Sequence, residues 1–503
     1  MRWGGRRQGR RPGWLAGAIL TATLALALGT GLATAAPGDL AFLQSRADGV
    51  DGDGLDRPIG VVASPDGRHL YAAGLNDDAL AVFSRNRAQG GLSFVEKESA
   101  GNTLGAPEGV AVSPDGSSVY ATGFSSDTLA AFSRDRASGA LRLIDSERDA
   151  AGGVDGLNQA DAVAVSPDGR HVYVTALIDD SIAIFERDPA SGGLAFVDFV
   201  RDGAGDVDGL DAPEGLALSP DGRQVYVTAD GDDSLATFDR DPSSGRLHFV
   251  GVEKDASGGV DGLAGAFGVA VAPDGRHVYT SSYGDNAVTT FARDLDSGRV
   301  SFAGTIKDGS GGVGDLNGAY AVAVSPDGRY VYATGREDGA LTTFRRSRGS
   351  GALTEVDVET QGTGGVDGAP AYGLAIPPDA RNVYATADLQ DRVLAFSRRI
   401  VARCSGRRPT LWGTDFADRL RATRGRDVVA SLGGGDSVTG LRGADALCGG
   451  GGRDRLAGGR GDDRLQGGGS RDRLLGGPGD DRLRGGPGRD RLLGGPGRDS
   501  QRQ

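Results

Sequence analysis

One four-residue phrase sets the architecture of this chain. Ser-Pro-Asp-Gly or a near copy starts at Ser64, Ser113, Ser166, Ser219, Ala272, Ser325 and Pro377, in steps of 49, 53, 53, 53, 53 and 52 residues. The phrase is turn chemistry, because Pro fixes φ at the second position and Gly relieves the fourth. Between turns lie short segments rich in Val, Tyr, Phe and Thr, such as GLALS, QVYVTA, SLATFDR and RLHFVGVE within one unit. Their alternation reads as strands. A four-stranded sheet of this kind cannot bury both faces alone, so neighbouring units must stack. A period near 50 with β-type alternation predicts an all-β propeller with one blade per repeat.

The order of the strands predicts how the ring closes. An outer-type strand, DLAFLQSRAD from Asp39 to Asp48, precedes the first unit, and the last unit stops after its third strand at VLAFSRR. The N-terminal strand is therefore expected to complete the blade formed by residues 371–398, giving seven blades over residues 39–399. Units such as HVYVTALIDDSIAIFERDPASGGLAFV make this stretch resemble the seven-bladed lactonase-like propellers, also called the YVTN-repeat family. The resemblance implies the fold. It does not imply one activity, since the group spans lactone hydrolases, a muconate-cyclising enzyme and secreted proteins without assigned chemistry.

Where the repeat breaks, function can enter. His69, His171 and His277 share one slot after Asp-Gly-Arg and His248 lies in an outer strand, so all four read as scaffold. The lactone-cyclising relatives are expected to use a His with Arg and Glu, and no irregular His is present to play that part. Five residues before each turn phrase, at the mouth of the central channel, the chain reads Ile59, Glu108, Asp161, Glu214, Phe267, Tyr320 and Tyr372. Three adjacent blades offer carboxylates and the next three offer rings. Solvated rim residues are one reading; the other is a polarised pocket, with carboxylates for a cation or hydroxyls and rings for stacking. Were a metal to sit there, Glu108, Asp161 and Glu214 would be its ligands and could polarise a lactone carbonyl. Arg336 and the acidic loops LNDDA, IDDS, GDDS and GDNA are expected on the same face. DGVDGDGLD at Asp48 has calcium-loop density, yet its cousins AGGVDGLN and SGGVDGLA recur without it, so it reads as a Gly-rich connector.

A second register governs the C-terminal tail. Aspartates stand every nine residues from Asp418 to Asp499, and two positions after each stands Leu420, Val429, Val438, Leu447, Leu456, Leu465, Leu474, Leu483 or Leu492; only Gln501 breaks the series. GGxGxD is complete at Gly449, Gly458, Gly476, Gly485 and Gly494. The pattern resembles the hemolysin-type calcium-binding repeats. That resemblance implies a parallel β-roll over residues 413–503 after a linker at 400–412, with the apolar residue inward. It also implies Ca²⁺ held by oxygen ligands at the turns, here Asp454, Asp463, Asp472, Asp481 and Asp490 with Gly458, Gly476 and Gly485. The four earlier nonads are degenerate, and calcium is not assigned to them. Arg453, Arg471 and Arg489 are expected along one edge and Asp462 and Asp480 along the other, which makes the latter the better cation site. Arg455, Arg473 and Arg491 are expected to form a ladder that repels itself unless an anion lies on it.

The first 35 residues combine five arginines, an apolar run from Trp14 to Leu28 and Ala33-Thr34-Ala35, an export signal for the Sec or twin-arginine route. No later stretch is apolar enough to span a membrane as a helix. Cys404 and Cys448 are the only cysteines, which in an exported chain predicts a disulfide. The net charge of −13 hides an asymmetry: from Ile400 onward there are 20 arginines and 13 acids, so the residues between signal and tail carry −25. An acidic propeller disfavours nucleic acid as a partner. The sequence thus reads as a secreted calcium-binding protein whose propeller recognises an extracellular ligand, a carbohydrate or cell surface. A lactone hydrolase acting at the channel mouth is the alternative.

Overall fold

The computed structural model describes residues 39–502 apart from 88, 102, 363–364, 399–403, 408, 413–417 and 433; the export signal lies outside the described residues. Seven four-stranded antiparallel sheets form the ring. Blades 1 to 6 run from Pro58 to Glu98, Val110 to Arg148, Ala160 to Arg201, Pro213 to Lys254, Ala266 to Lys307 and Ala319 to Thr360. Blade 7 takes Leu374–Ala375, Asn382–Ala387 and Arg392–Arg398 from the C-terminal end, and its outer strand is the N-terminal Leu40–Ala47. That strand pairs antiparallel with Arg392–Arg398, Leu40 opposite Arg398 and Ala47 opposite Arg392. The seventh blade is thereby closed by chain ends about 350 residues apart in sequence, as the strand count predicted.

The second strand of every blade is wholly buried, which is why each carries an unbroken apolar and hydroxyl run such as HVYVTA. Its tyrosine (Tyr71, Tyr120, Tyr173, Tyr226, Tyr279, Tyr332, Tyr384) fills the space between blades. Each buried tyrosine in turn serves an arginine at the end of the next blade's third strand. Arg134 reaches back to blade 1, donating through Nε to Tyr71 at 2.6 Å and through Nη2 to Asp66 of the turn phrase at 3.1 Å, while Nη1 holds the Gly116 carbonyl of its own blade at 2.8 Å. Arg187, Arg240, Arg293, Arg346 and Arg85 make the same clamp on the preceding blade. Arg398 pairs with Asp327 in the seventh joint. The shared histidine slot belongs to this clamp: Nδ1 of His69, His171 and His277 lies 2.6, 2.7 and 2.7 Å from an arginine Nη2.

The connectors carry more chemistry than their glycine content suggests. Asp48 and Asp53 converge with Asp77 from the following hairpin, and Asp149–Asp155–Asp179, Asp202–Asp208–Asp232 and Asp255–Asp261–Asp285 do the same. The sequence reading of a plain connector missed this, because the third carboxylate comes from a loop about 24 residues further on. The charge is met from within. Lys97, Lys254 and Lys307 each contact the last two carboxylates of their trio, and Arg201 does so in blade 3.

Beyond the propeller the chain winds into two parallel sheets, of six and five strands, whose neighbours are 18 residues apart. Val429, Val438, Leu447, Leu456, Leu465, Leu474 and Leu483 form the core. The first rung, Leu411–Trp412, pairs with Val429–Ala430 inside the stretch read as linker, where Pro409 stands in place of the register aspartate. Cys404 and Cys448 are disulfide-bonded with Cα atoms 5.6 Å apart, and Cys404 packs on Val428 and Ala446 at the start of the roll. Among the described residues no helix is long and apolar enough to cross a membrane.

Candidate functional site

At the channel mouth the innermost strands approach so closely that five of the seven blades carry glycine after the slot. A Cβ on Gly60 would stand 2.1 Å from the Glu108 carbonyl oxygen, and one on Gly109 2.3 Å from that of Asp161. A hydroxyl from the preceding blade ties the slot carbonyl in six blades, as from Thr122 to Asp161 at 2.6 Å, Ser281 to Tyr320 at 2.5 Å and Thr386 to Ile59 at 2.8 Å; before Glu108 that position is Ala73. Where alanine replaces that glycine, at Ala162 and Ala321, the corresponding bonds stretch to 3.3 and 3.5 Å. The seven slot side chains are held by backbone on a tight ring.

That ring brings the predicted residues together as two groups. The Asp161 carboxyl is hydrogen-bonded to both Glu108 and Glu214. A hydrogen bond between carboxyl groups needs a proton, and burial supplies the drive to keep one. Asp161 is held well above the usual carboxylate range by burial, with the charges of Glu214 and Glu108 adding to it. Burial pushes Glu214 up to about 7 and raises Glu108, against the pull of the Arg57 guanidinium. Across from the trio, Phe267 stacks on Tyr320 at 4.6 Å, and Tyr320 meets Tyr372 edge-on at 4.5 Å. Tyr320 is near enough to all three carboxyls that, after burial, they raise its hydroxyl further. Ile59, the odd slot, packs against Tyr372 and Ala371.

A second ring sits on the first, and sequence reading found only Arg336 of it. The residue after each second strand reads Leu75, Phe124, Leu177, Asp230, Tyr283, Arg336 and Asp388, and in blades 1 to 6 its N–H bonds the blade's entry segment, as from Leu75 to the Arg57 carbonyl at 3.1 Å and from Arg336 to Gly318 at 3.0 Å. Arg336 lies over the Tyr372 ring at 4.7 Å and the Tyr283 ring at 6.0 Å. Asp388 is buried, its Oδ2 without a hydrogen-bond partner among the described residues, and burial raises it despite Arg336 and Arg57. Arg57, two residues before the blade 1 slot, hydrogen-bonds Tyr372 from a left-handed backbone at φ 54°. The equivalent positions are Ala106, Gln159, Ala212, Gly265, Gly318 and Pro370, so a lone arginine there was a legible break. The acidic loops, in contrast, are spent on structure. Asp78, Asp127, Asp180 and Asp233 accept the entry N–H of Ala106, Gln159, Ala212 and Gly265 in the next blade.

In the roll, the register aspartates from Asp445 to Asp481 point their two oxygens to different ends. Oδ1 accepts the N–H of the aspartate 18 residues earlier: Asp463 from Asp445 at 2.8 Å, Asp472 from Asp454 at 2.9 Å, Asp481 from Asp463 at 2.8 Å and Asp490 from Asp472 at 2.9 Å. Oδ2 of Asp445, Asp454, Asp463, Asp472 and Asp481 is buried and finds no hydrogen-bond partner among the described residues. Each faces the first glycine of its own turn: a Cβ on Gly458 or Gly476 would lie 2.2 Å from Oδ2 of Asp463 or Asp481, and on Gly485 2.3 Å from that of Asp490. A buried carboxylate oxygen without a donor is costly, and burial pushes Asp454 and Asp463 up to about 7. A hard dication removes that cost, so the donor set fits Ca²⁺. Asp445 has the same arrangement over Gly440, one nonad earlier than the complete glycine motif. Asp427 differs, because Thr423 donates to its Oδ2 from both N–H, at 2.9 Å, and hydroxyl, at 2.7 Å. The edges also differ as expected: Asp462 accepts the Asp480 N–H at 2.9 Å and Asp480 that of Arg498 at 2.8 Å, a second carboxylate ladder.

Comparison with known proteins agrees with both halves. A family model described as "Lactonase, 7-bladed beta-propeller" matches residues 46–155, 148–261 and 252–367. One described as "RTX calcium-binding nonapeptide repeat (4 copies)" matches 412–447, 449–483 and 466–500. A 6-phosphogluconolactonase of Pectobacterium carotovorum is 25% identical over 148 residues, 29% of this chain and 43% of the relative. A 6-phosphogluconolactonase of Bacillus subtilis is 36% identical over 90 residues, 18% of this chain and 24% of the relative. The chain thus spans less than half the length of these curated relatives. The solved structure of a periplasmic gluconolactonase of Pseudomonas aeruginosa aligns over 64% of this chain and 96% of its own, with a TM-score of 0.50 and 23% identity, a likeness of fold. The chain belongs to the seven-bladed β-propeller lactonase family and carries calcium-binding nonapeptide repeats behind its propeller.

Proposed function

We propose that this protein is exported and works as a recognition or adhesion platform, its propeller binding a hydroxyl-bearing ligand, a carbohydrate or cell-surface glycan, at the channel mouth. The observation that carries this reading is the division of the mouth into a proton-sharing trio, Glu108–Asp161–Glu214, and a stacked set, Phe267–Tyr320–Tyr372. Carboxyl groups that hold protons both donate to and accept from hydroxyls, and rings cover the apolar face of a sugar. Calcium is held by Asp454, Asp463, Asp472, Asp481 and Asp490 with the turns of Gly458, Gly476 and Gly485, so the tail completes its fold where calcium is plentiful, outside the cell. The disulfide supports the same address. The test is a thermal-shift panel of neutral sugars, sugar acids and amines on the full chain in calcium. A hydroxylated ligand should stabilise the wild type and not Asp161→Asn; stabilisation by none leaves a structural spacer.

The second reading is lactone hydrolysis, which the family and one specific observation favour: a carboxyl held at about 7 beside a protonated neighbour suits general base and acid work at neutral pH. A lactone screen with and without calcium decides between them. Turnover that Glu108→Gln abolishes would end the binding-only reading.

A further inference from the structure

The two outer faces of the roll are unlike. In the five-stranded sheet, Arg455, Arg473 and Arg491 stand in register on successive rungs, and two positions along the same face stand Ala457, Leu475 and Leu493. Parallel rungs are about 4.8 Å apart, so three guanidinium groups repeat at that spacing. All three arginines are exposed, and among the described residues no ion pair involves them. Leu475 and Leu493 remain 43% and 36% exposed beside them, although the core side of the same strands is packed with leucine. The opposite sheet shows Arg464 and Arg482 on one row and Gln466, Arg484 and Arg502 on the other, and along these rows no large apolar side chain is exposed among the described residues.

We infer that the Arg455–Arg473–Arg491 face docks on an anionic lipid bilayer. A column of like charges at this spacing is self-repelling and asks for a dense, planar array of negative charge, which lipid phosphates supply. The leucine column decides between kinds of polyanion, since a soluble anionic polymer has no apolar phase to receive Leu475 and Leu493, whereas a headgroup layer does. The remainder of the chain selects the contact. The acidic propeller is repelled by such a surface, and calcium held along the roll edges would add positive charge next to this face and not to the propeller ring.

The test is co-sedimentation of the full chain in calcium with vesicles of phosphatidylcholine containing 30% phosphatidylglycerol, and with pure phosphatidylcholine. The wild type should bind the anionic vesicles and not the neutral ones. Arg455→Ser with Arg473→Ser and Arg491→Ser should weaken binding on the order of 100-fold, about fivefold per arginine. Leu475→Ser with Leu493→Ser should weaken it severalfold while retaining salt sensitivity. Circular dichroism of the same samples reports the calcium-dependent fold, so a failure of the roll to fold is read separately from a failure to dock. Binding of the triple variant at wild-type strength, equal binding to both vesicle types, or binding to dextran sulfate without binding to anionic vesicles overturns the inference.

Discussion

The arginine clamp between blades makes a quantitative prediction at Arg187. Its side chain is 1% exposed and donates to Tyr120 Oη at 2.7 Å, the Gly169 carbonyl at 3.0 Å, Ser117 Oγ at 2.8 Å and Asp115 Oδ2 at 3.1 Å. Replacing it by methionine keeps the stem and removes every donor. Stripping one partner from a wholly buried pair costs roughly 3–5 kcal/mol. The Asp115 side chain, however, is 40% exposed and can take water in exchange, so the cost belongs at the lower end, about 3 kcal/mol. For a propeller of about 360 residues, an unfolding entropy of ~2.1 cal/mol/K per residue amounts to ~0.75 kcal/mol/K, and the melting temperature should fall by about 4 °C. The control is Arg246→Met. That arginine pairs with Asp198 at the surface, with side chains 52% and 40% exposed, and its loss should cost no more than about 0.5 kcal/mol. Calorimetry on the full chain distinguishes the two. Equal melting of Arg187→Met and wild type, or equal losses in the two variants, would refute the view that the ring is held by these joints.

Other expectations follow from the same geometry. Because burial holds Glu214 at about 7 against an ordinary 4.5, the folded propeller keeps a proton that the unfolded chain has released between those values; its contribution to stability is full at the acid end and is lost as pH rises toward 7. Melting curves of wild type and Glu214→Gln from pH 4.5 to 8 should therefore diverge, the variant losing the share of the downward slope that Glu214 supplies; parallel curves would disprove a raised Glu214. Deleting residues 36–48 removes the strand paired to Arg392–Arg398 and leaves an open edge, so the chain should aggregate on size exclusion; a monodisperse product of native melting temperature would contradict the closure. Cys404→Ala with Cys448→Ala opens a loop of 44 residues and should destabilise the roll by about 4 kcal/mol in urea unfolding. Asp463→Ala with Asp481→Ala should weaken calcium binding more than Asp472→Ala with Asp490→Ala, because Asp462 and Asp480 add charge to the first edge; calorimetric titration giving the reverse order would remove the distinction between edges.

Repeat length, turn phrases and strand order were enough to specify the seven-bladed ring, its closure by Asp39–Asp48 and the structural role of the histidines. Each is a statement about periodicity, and periodicity is local in the chain. The nine-residue register likewise announced the roll and its inward leucines. Tertiary structure alone decided the pairings. Arg187 meets an aspartate 72 residues away, and the third carboxylate of each connector trio arrives from another hairpin. That Asp161 lies between two glutamates and keeps a proton depends on the tight closure of the ring. Which aspartates of the roll leave an oxygen unpaired depends on what packs over each turn: a glycine opposite Asp463 and a donating threonine opposite Asp427. Sequence spacing places such groups on a face, but only the distances between faces determine whether a carboxylate finds a donor, another carboxylate or room for a cation.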